Sequence, residues 1–436
     1  MLRARMSRRL LAIVEGRRMG ELTYDERRDS ISFRYDEEWT SLRDSFPLSL
    51  SMPMANPLHR DAVVRPFIEG LLPDNDEVLA RWGRRHHLSP RNPFRLLEFV
   101  GEDCAGAVQF VVPDRAERWA GSKARRKVVW LSEQELSERI QELKDDHSAM
   151  RRIGDRGQFS LAGAQPKMGL YWDESNKRWG IPEGATPTTH ILKPNVGDFA
   201  DYDRNEHFCL GLAKRIGLAA ASSKIDTVGG IPVIVVERFD RTWKGRSLFR
   251  VHQEDMCQAL GISPRSKYQR EGGSSAKDIF SLIRDSSGRP RVDELRFLDA
   301  MIFNWLIKGT DAHAKNYGFL HAGDHQVRLA PLYDLSSYLP YENPKEERKV
   351  RMAMKIGGEY AWWKIGPRQW QTASREWGIE RDLVFAHVCL IAERLLVGCD
   401  DVRREMNAEL GKSGKTIDRL VRGIKANSED ALRLFS

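Results

Sequence analysis

The chain has 436 residues, of which 41% are hydrophobic and 30% charged, a balance that excludes a fibrous or a disordered protein. No apolar run approaches the roughly 18–20 residues of a bilayer span, and the basic N-terminus lacks the apolar core of a signal peptide. We therefore expect a cytoplasmic protein with no membrane contact. The five scattered cysteines disfavour a disulfide scaffold or structural zinc. The net charge of +8 suits a polyanionic partner or a merely solubilising surface, and does not decide the function.

Residues 1–125 are predicted to form a small mixed α/β subdomain. The sequence indicates short strands at residues 10–14, 21–23 and 30–35, and helices at residues 61–72, 76–86 and 90–100. Residues 111–127 are charged and interrupted by Pro and Gly, which is typical of a linker or an exposed loop.

The remaining chain divides into a β-rich part, residues 126–250, and a mostly helical part, residues 251–436. The β-rich part holds a turn at SLAGAQPKMGL, a strand at THILKP, one helix over residues 205–216 and a buried strand at IPVIVVERF. The helical part carries apolar residues at three- and four-residue steps over residues 295–309, 370–377 and 383–397. The predicted fold class is α+β.

The loop at residues 310–317 carries the strongest chemical signal. An apolar helix is predicted to end at Gly309, and Asp311 and Asn316 then follow with the D-x-x-x-x-N spacing of a kinase catalytic loop. A carboxylate there accepts the proton of an attacking hydroxyl, an amide oxygen holds a metal ion, and Lys315 neutralises the transferring phosphoryl group. Two alternatives stay open: a loop whose Asp and Asn cap backbone groups, and a zinc site formed by His313 with Asp311.

Three further segments fit a phosphotransferase. Asp334 ends an apolar segment eighteen residues after Asn316, where a second metal ligand is expected. The turn at residues 160–167 brings small residues and Lys167 to a place where backbone N–H groups can approach phosphate oxygens. Lys193 ends an extended segment, as does the lysine that contacts ATP phosphates in kinases. The alternatives are an ordinary β-turn and a solvated edge lysine.

Residues 231–240, IPVIVVERFD, are predicted to form a strand that leads to a hinge beside an adenine ring. The alternative is a core strand with Arg238 and Asp240 paired at the surface. From the residues alone, Glu206 is the predicted partner of Lys193. Asp203 is the competing partner, and plain helix capping by Asn205 and its neighbours is a further alternative.

In chain order these parts match a two-lobed phosphotransferase, and the strings that form them resemble the HipA family of bacterial toxin–antitoxin serine/threonine kinases. The resemblance extends over residues 159–337 and rests on SLAGAQPK, PTTHILKP, NEHFCLGLAKRIGL, VERFDR, QEDMCQALG, FNWLIKGTDAHAKN and PLYDLSS. PLSLSMPM and FIEGLLPDN before this segment, and AMKIGG after it, are more weakly similar.

The resemblance implies a two-lobed protein-kinase-like fold, with an N-terminal subdomain (1–125), an ATP-binding lobe (126–250) and a helical catalytic lobe (251–436). It implies that Asp311 is the catalytic base and that Asn316 and Asp334 bind Mg²⁺. Ser160 matches the serine that family members autophosphorylate, and a phosphate there is expected to repel the ATP phosphates and silence the enzyme. The implied ATP contacts are Ala162, Gly163, Ala164, Gln165, Pro166, Lys167, Lys193, Glu237, Arg238, Phe239, His313, Lys315, Asn316, Tyr333, Asp334, Leu335 and Ser336.

The resemblance also implies partners. A helix-turn-helix antitoxin that binds operator DNA is expected to neutralise the kinase, so that DNA is contacted indirectly, and an aminoacyl-tRNA synthetase is the expected substrate. Two rival functions need the same residues or the same fold: a small-molecule kinase acting on a lipid or sugar, and a catalytically idle DNA-binding corepressor.

Overall fold

The structure is a computed structural model, which describes residues 8–116, 126–149, 162–163, 165–197, 199–245, 247–322, 326–411 and 414–436. Within these ranges it contains strands, helices and short 3-10 turns arranged around three main apolar clusters. No helix in the described ranges is both long and apolar enough to cross a bilayer.

The N-terminal subdomain is an antiparallel five-stranded sheet packed with helices, in the strand order β4-β3-β2-β1-β5. Leu10, Leu22 and Phe33 alternate with exposed residues along their strands and form its core. Its elements are β1 (Arg8–Val14), β2 (Arg17–Asp25), β3 (Ser30–Tyr35), α1 (Glu37–Thr40), β4 (Leu58–His59), α2 (Asp61–Gly70), α3 (Asp76–His86), α4 (Pro93–Val100), β5 (Gln109–Val111) and α5 (Pro113–Ala116).

A six-stranded antiparallel sheet in the order β10-β11-β9-β7-β8-β6 forms the second lobe. Lys193 lies on β9, inside this sheet, and pairs with Ile234 of the neighbouring strand β11. The elements are β6 (Arg126–Trp130), α6 (Glu133–Asp145), β7 (Met168–Asp173), β8 (Arg178–Gly184), β9 (His190–Pro194), α7 (Tyr202–Arg215), β10 (Ser223–Val228), β11 (Ile231–Glu237), β12 (Arg241–Lys244) and β13 (Ser247–Arg250).

The third lobe is mostly helical, with small antiparallel sheets at its edge. Its long helix α10 begins with Pro290, which suits a first helical turn because it lacks an N–H, and ends just before the loop that carries Asp311. The elements are β14 (His252–Asp255), α8 (Met256–Ala259), α9 (Ala276–Ser286), α10 (Pro290–Leu306), β15 (Gly318–His321), β16 (Val327–Leu329), β17 (Arg351–Ile356), β18 (Glu359–Ala361), α11 (Pro367–Trp377), α12 (Arg381–Leu410) and α13 (Gly414–Phe435). The 3-10 turns are Pro264–Ser266, Gln269–Glu271, Ala314–Asn316, Leu339–Tyr341, Pro344–Lys349 and Trp362–Lys364.

The apolar clusters cross the predicted segment boundaries. Trp82 and Leu96 of the N-terminal subdomain pack in one cluster with Ile140 of α6 and Leu192 of the second sheet. Helix α7 follows the second sheet in sequence, but Phe208 on its buried face belongs to the core of the helical lobe. The division at residues 125 and 250 stays a prediction, and the three parts pack as neighbours that share cores.

Most predicted elements are present, with ends displaced by a few residues. The predicted helix at residues 295–309 is the C-terminal part of α10, and the predicted helix at 383–397 lies inside the much longer α12. Of the predicted linker at residues 111–127, the described part contains the end of β5, the short α5 and the start of β6. The small strands β14 to β18 are not apparent from the sequence, because strands of three to six residues give too short an alternation to recognise.

Candidate active site

A cleft of about 240 Å³ lies between the second sheet and the helical lobe and collects most of the predicted site residues. Pro166 does not line this cleft, and Leu335 and Ser336 line a small hollow beside it, together with Asp311, Asn316 and Asp334. Ser160 and Ala164 lie outside the described residues. The predicted residues that line the cleft are Ala162, Gly163, Gln165, Lys167, Lys193, Glu237, Arg238, Phe239, Asp311, His313, Lys315, Asn316, Tyr333 and Asp334.

Lys193 lies in the cleft and forms ion pairs with two carboxylates. Its Nζ lies 2.7 Å from Glu206 Oε1 and 2.6 Å from Asp334 Oδ1. Burial opposes the charge of Lys193, but Asp334 and Glu206 hold its pKa above the ordinary value. Burial likewise raises the pKa of Glu206. The predicted Lys193–Glu206 pair is thus present, and the second ion pair of Lys193 is with Asp334 rather than with Asp203.

The capping alternative for this helix start is wrong. Helix α7 begins at Tyr202, and its N-cap residue Asp201 makes no side-chain capping bond. Asn205 is instead buried one turn into the helix, where its amide donates to the carbonyl oxygen of Ser337 at 2.7 Å and accepts from the Ser337 N–H at 3.0 Å. Asn205 therefore ties α7 to the segment that follows Asp334.

Asp334 has the geometry of a constrained functional residue. Its φ of 55° lies in the left-handed region, which a non-glycine residue adopts only when its surroundings enforce it. Burial opposes ionisation, but Lys193 and Lys167 hold the pKa of Asp334 well below its ordinary value. The side chain is therefore a carboxylate at neutral pH.

Asp311 lies shortly before a 3-10 turn, Ala314–Asn316, that carries Asn316. Asn316 donates through Nδ2 to the main-chain oxygen of Asp311 at 2.8 Å. The capping alternative is therefore correct for the amide nitrogen of Asn316, which bonds the backbone of the loop. The carboxylate of Asp311 accepts a hydrogen bond from the Tyr268 hydroxyl, and its side chain is 51% exposed.

The zinc alternative is not supported. His313 Nε2 lies 3.8 Å from Asp311 Oδ1, which is a weak ion-pair contact, and burial lowers the pKa of His313. No group of three His, Cys, Asp or Glu side chains in the described part of the chain is arranged to hold a metal ion. A magnesium ion needs no such group, because it is commonly held by one or two protein oxygens together with substrate phosphates. The amide oxygen of Asn316 and the carboxylate of Asp334 fit that donor set.

Lys167 bonds back to the turn that is predicted to bind phosphate (residues 160–167, the phosphate turn). Lys167 donates through Nζ to the Ala162 carbonyl at 2.6 Å, and a Cβ on Gly163 would lie 2.4 Å from that Nζ. Gly163 has a φ of +107°, a conformation that favours glycine. Burial lowers the pKa of Lys167 to about 8.

The core-strand alternative to the hinge prediction is right about the Arg238–Asp240 pair and wrong about its place at the surface. Arg238 and Asp240 do pair, at 2.7 Å, but both are buried rather than at the surface. Asp103 of the N-terminal subdomain lies 3.0 Å from Arg241 and 3.1 Å from Arg250 in the same cluster. The predicted contact at Phe239 packs against Tyr333, with ring centroids 5.5 Å apart. These two rings give the cleft an apolar wall suited to a flat base.

Sequence reasoning missed several residues of the cleft, among them two carboxylates, and one tyrosine beside it. Asp74 and Asp255 lie in the cleft, and Lys315 Nζ is 3.0 Å from Asp74 and 3.7 Å from Asp255. Tyr268, which contacts Asp311, lines a second hollow next to the cleft. Asp74 stands in the FIEGLLPDN string already noted for its similarity, and that string was the available signal.

Two protein-family profiles match this chain. The profile described as HipA-like C-terminal domain matches residues 159–397, and the one described as HipA N-terminal domain matches residues 10–111. The chain belongs to the HipA family. The resemblance stated from the motifs is therefore confirmed.

Individual HipA-family proteins match along most of the chain. Y4mE of Sinorhizobium fredii, named as a candidate kinase, is 38% identical over 372 residues, which are 85% of this chain and 86% of that protein. The serine/threonine-protein kinase toxin HipA of Shewanella oneidensis is 30% identical over 402 residues, 86% of this chain and 85% of the toxin. A solved complex of Shewanella oneidensis HipA with HipB and operator DNA matches with a TM-score of 0.79 at 26% identity, covering 98% of this chain and 98% of the solved one. The predicted α+β, kinase-like fold is confirmed.

Proposed function

We propose that this HipA-family chain is an ATP-dependent serine/threonine protein kinase that acts as the toxin of a toxin–antitoxin module. The observation that carries the proposal is the convergence of Lys193, Asp311, Asn316 and Asp334 on one cleft between two lobes. The segments that supply these residues are far apart in the sequence. An idle platform has no physical reason to bury the charged groups of Lys193 and Asp334 together.

The position of Asp311 supports transfer to an acceptor that comes from outside the cleft. Asp311 lines both the cleft and a second hollow formed by Tyr268, Arg270, Thr310, Tyr338 and residues 349–353. A hydroxyl entering from that hollow reaches the Asp311 carboxylate, which takes the proton as the hydroxyl oxygen attacks the γ-phosphorus and the bond to the β-phosphate oxygen breaks.

The cations of the cleft match the charge of a triphosphate. Lys193, Lys167 and Lys315 are all buried in the cleft walls. We assign Lys193 and the phosphate turn with Lys167 to phosphate binding, and Lys315 to neutralising the transferred phosphoryl group. Mg·ATP, when bound, supplies the phosphoryl group and the neutralising charge of the metal, with Asn316 and Asp334 as the metal ligands. Phe239 and Tyr333 would contact the adenine base.

The partners follow from the relatives. The solved relative is in complex with HipB and operator DNA, which supports an antitoxin partner for this chain and indirect contact with DNA. We propose a helix-turn-helix antitoxin, an aminoacyl-tRNA synthetase as substrate, and growth arrest as the consequence of its phosphorylation. Ser160 is the proposed site of autophosphorylation and self-inactivation. Mass spectrometry of active protein and of the Asp311→Ala variant tests this, and an unmodified Ser160 in both preparations contradicts it.

The deciding experiment is phosphoryl transfer from labelled Mg·ATP into a bacterial lysate. We expect a labelled protein band, identified by mass spectrometry as an aminoacyl-tRNA synthetase, and a loss of at least about 100-fold in the Asp311→Ala variant. Asp226→Asn, which changes a carboxylate 40% exposed on the second sheet, is the matched control and should behave as wild type. Label confined to small molecules would favour a metabolite kinase, and undiminished transfer by Asp311→Ala would remove the base assignment.

A further inference from the structure

The N-terminal subdomain contributes one charged side chain to the cleft. Asp74 lies in the loop between α2 and α3, and its side chain is only 9% exposed. It lines the cleft together with Gly70 at the end of α2. An acidic residue from a separate subdomain therefore reaches the proposed phosphate site.

Asp74 contacts three segments of the site at once. Its Oδ1 lies 3.0 Å from Nζ of Lys315, and its Oδ2 lies 3.2 Å from Nζ of Lys267. Its main-chain N–H donates to the carbonyl of Gly163 at 3.2 Å, and Pro73 forms a parallel bridge with the same glycine. The loop before α3 thus joins the phosphate turn to the catalytic loop.

A simpler role for Asp74 would be to fasten the N-terminal subdomain to the rest of the protein. That role does not require Asp74 to lie in the cleft. The subdomain is already fastened by Asp103 in its arginine cluster, and by Ser49 and Leu50, which donate to the buried carboxylate of Glu254 at 2.5 and 3.0 Å. The side-chain contacts of Asp74 go to the two lysines beside the proposed phosphoryl path. Without the carboxylate, Lys315 would keep Asp255 at 3.7 Å and the Gly70 carbonyl at 3.4 Å.

We propose that Asp74 is a positioning residue of the kinase, which holds Lys315 in the direction of the transferred phosphoryl group while its backbone holds the phosphate turn. The catalytic site is then complete only when the N-terminal subdomain is docked. This inference rests on the proposed kinase function, because Lys315 has a phosphoryl group to neutralise only in that case.

The test is steady-state kinetics of full-length Asp74→Asn, with the concentration of active sites determined by nucleotide titration. We expect kcat per site to fall by about 10- to 100-fold, because Lys315 loses its charged anchor, while KM for ATP changes less than about threefold, because the backbone contact to Gly163 remains. Asp76→Asn is the matched control, since Asp76 lies two residues away, forms an exposed pair with Arg265 and does not line the cleft. A purely fastening role would lower the number of active sites and leave kcat per site unchanged.

Two further variants test the role of Asp74. In a Lys315→Met background the added Asp74→Asn change should have no further effect on kcat, because Asp74 acts through Lys315. If Asp74→Asn does not fold, Asp74→Glu decides, with an expected loss of at least about fivefold in kcat because the carboxylate is displaced by one methylene. Wild-type kcat in the variant that folds, alongside an inactive Asp311→Ala, overturns the role of Asp74 and leaves the kinase function standing. No phosphoryl transfer by wild type would overturn both.

Discussion

Nζ of Lys193 lies 2.6 Å from Oδ1 of Asp334, a contact between residues 141 positions apart. The contact crosses the cleft, because Lys193 belongs to the second sheet and Asp334 follows the catalytic loop. Glu206 holds the same ammonium from α7. One lysine thus links the sheet, the helix and the proposed metal ligand, so the orientation of the two lobes and the charge of Asp334 depend on each other.

Replacing Lys193 by Met should lower kcat/KM for ATP by about 100- to 1,000-fold, because a phosphate contact is lost and the buried Glu206 and half-buried Asp334 lose their shared cation. Steady-state kinetics with a protein acceptor measures the effect. Lys224→Met is the control, because Lys224 lies on the neighbouring strand β10 with its side chain 53% exposed. Equal losses in both variants would mean that position 193 has no special role.

Tyr268 should affect the acceptor side of the reaction. Its hydroxyl donates to Asp311, and burial followed by the charge of Asp311 raises the pKa of Tyr268, so it stays a hydrogen-bond donor at neutral pH. Tyr268→Phe removes this donor, and we expect kcat to fall by about 3- to 10-fold because Asp311 is less firmly oriented. KM for ATP should stay within about twofold, since Tyr268 lines the second hollow and not the cleft. A selective rise in KM for ATP would contradict this assignment.

Nucleotide binding should take up a proton above neutral pH. Burial lowers the pKa of Lys167 to about 8, so part of the population is neutral at pH 8.5. A bound triphosphate favours the charged lysine and raises its pKa again, so binding draws a proton from the buffer. Calorimetry in buffers of different ionisation enthalpy measures this uptake, which should shrink at pH 7. Lys167→Arg should abolish it, because arginine stays protonated throughout, and persistent uptake in that variant would point to another group.

Asp103→Asn should destabilise the whole protein, although Asp103 itself does not line the cleft. Asp103 is buried among Arg241, Arg250 and Arg238, and removing its charge leaves these cations under-compensated, at a cost of about 3–5 kcal/mol in the free energy of unfolding. Burial opposes its ionisation, but the three arginines hold the pKa of Asp103 well below its ordinary value of 3.8. This stabilisation is present above that value and is lost as the pH falls below it.

Denaturant unfolding at pH 7 and at pH 3 checks both statements. The difference between wild type and Asp103→Asn should be smaller at pH 3, where the wild-type protein also loses part of this contribution. Asp226→Asn, at a side chain 40% exposed, should change the free energy of unfolding by less than about 0.5 kcal/mol. A difference that grows on acidification would contradict the sign of the Asp103 pKa shift.

Local sequence was sufficient to predict that Asp311 lies near Asn316 and that Lys193 pairs with Glu206. Asp311 and Asn316 are five positions apart in one short loop, so their proximity is a matter of backbone geometry and is visible as spacing. The Lys193–Glu206 pair was also within reach, because a strand followed directly by a helix brings its end close to the first helical turns. The predicted strand at residues 30–35 and the predicted helix at residues 76–86 likewise coincide with β3 and α3, because their ends depend on nearby residues.

The amino-acid sequence by itself determined most of the elements outside the small strands β14 to β18, their order and the chemical types that phosphoryl transfer requires, because each depends on residues within one or two turns of chain. Only the tertiary structure decided that Asp74 meets Lys315, 241 positions away, and that Arg238 and Asp240 are buried against Asp103. Such contacts depend on how separate subdomains pack, and local periodicity carries no information about which surfaces meet. The partner of a charge, and hence its pKa and its role, is therefore fixed by the packing of the three lobes.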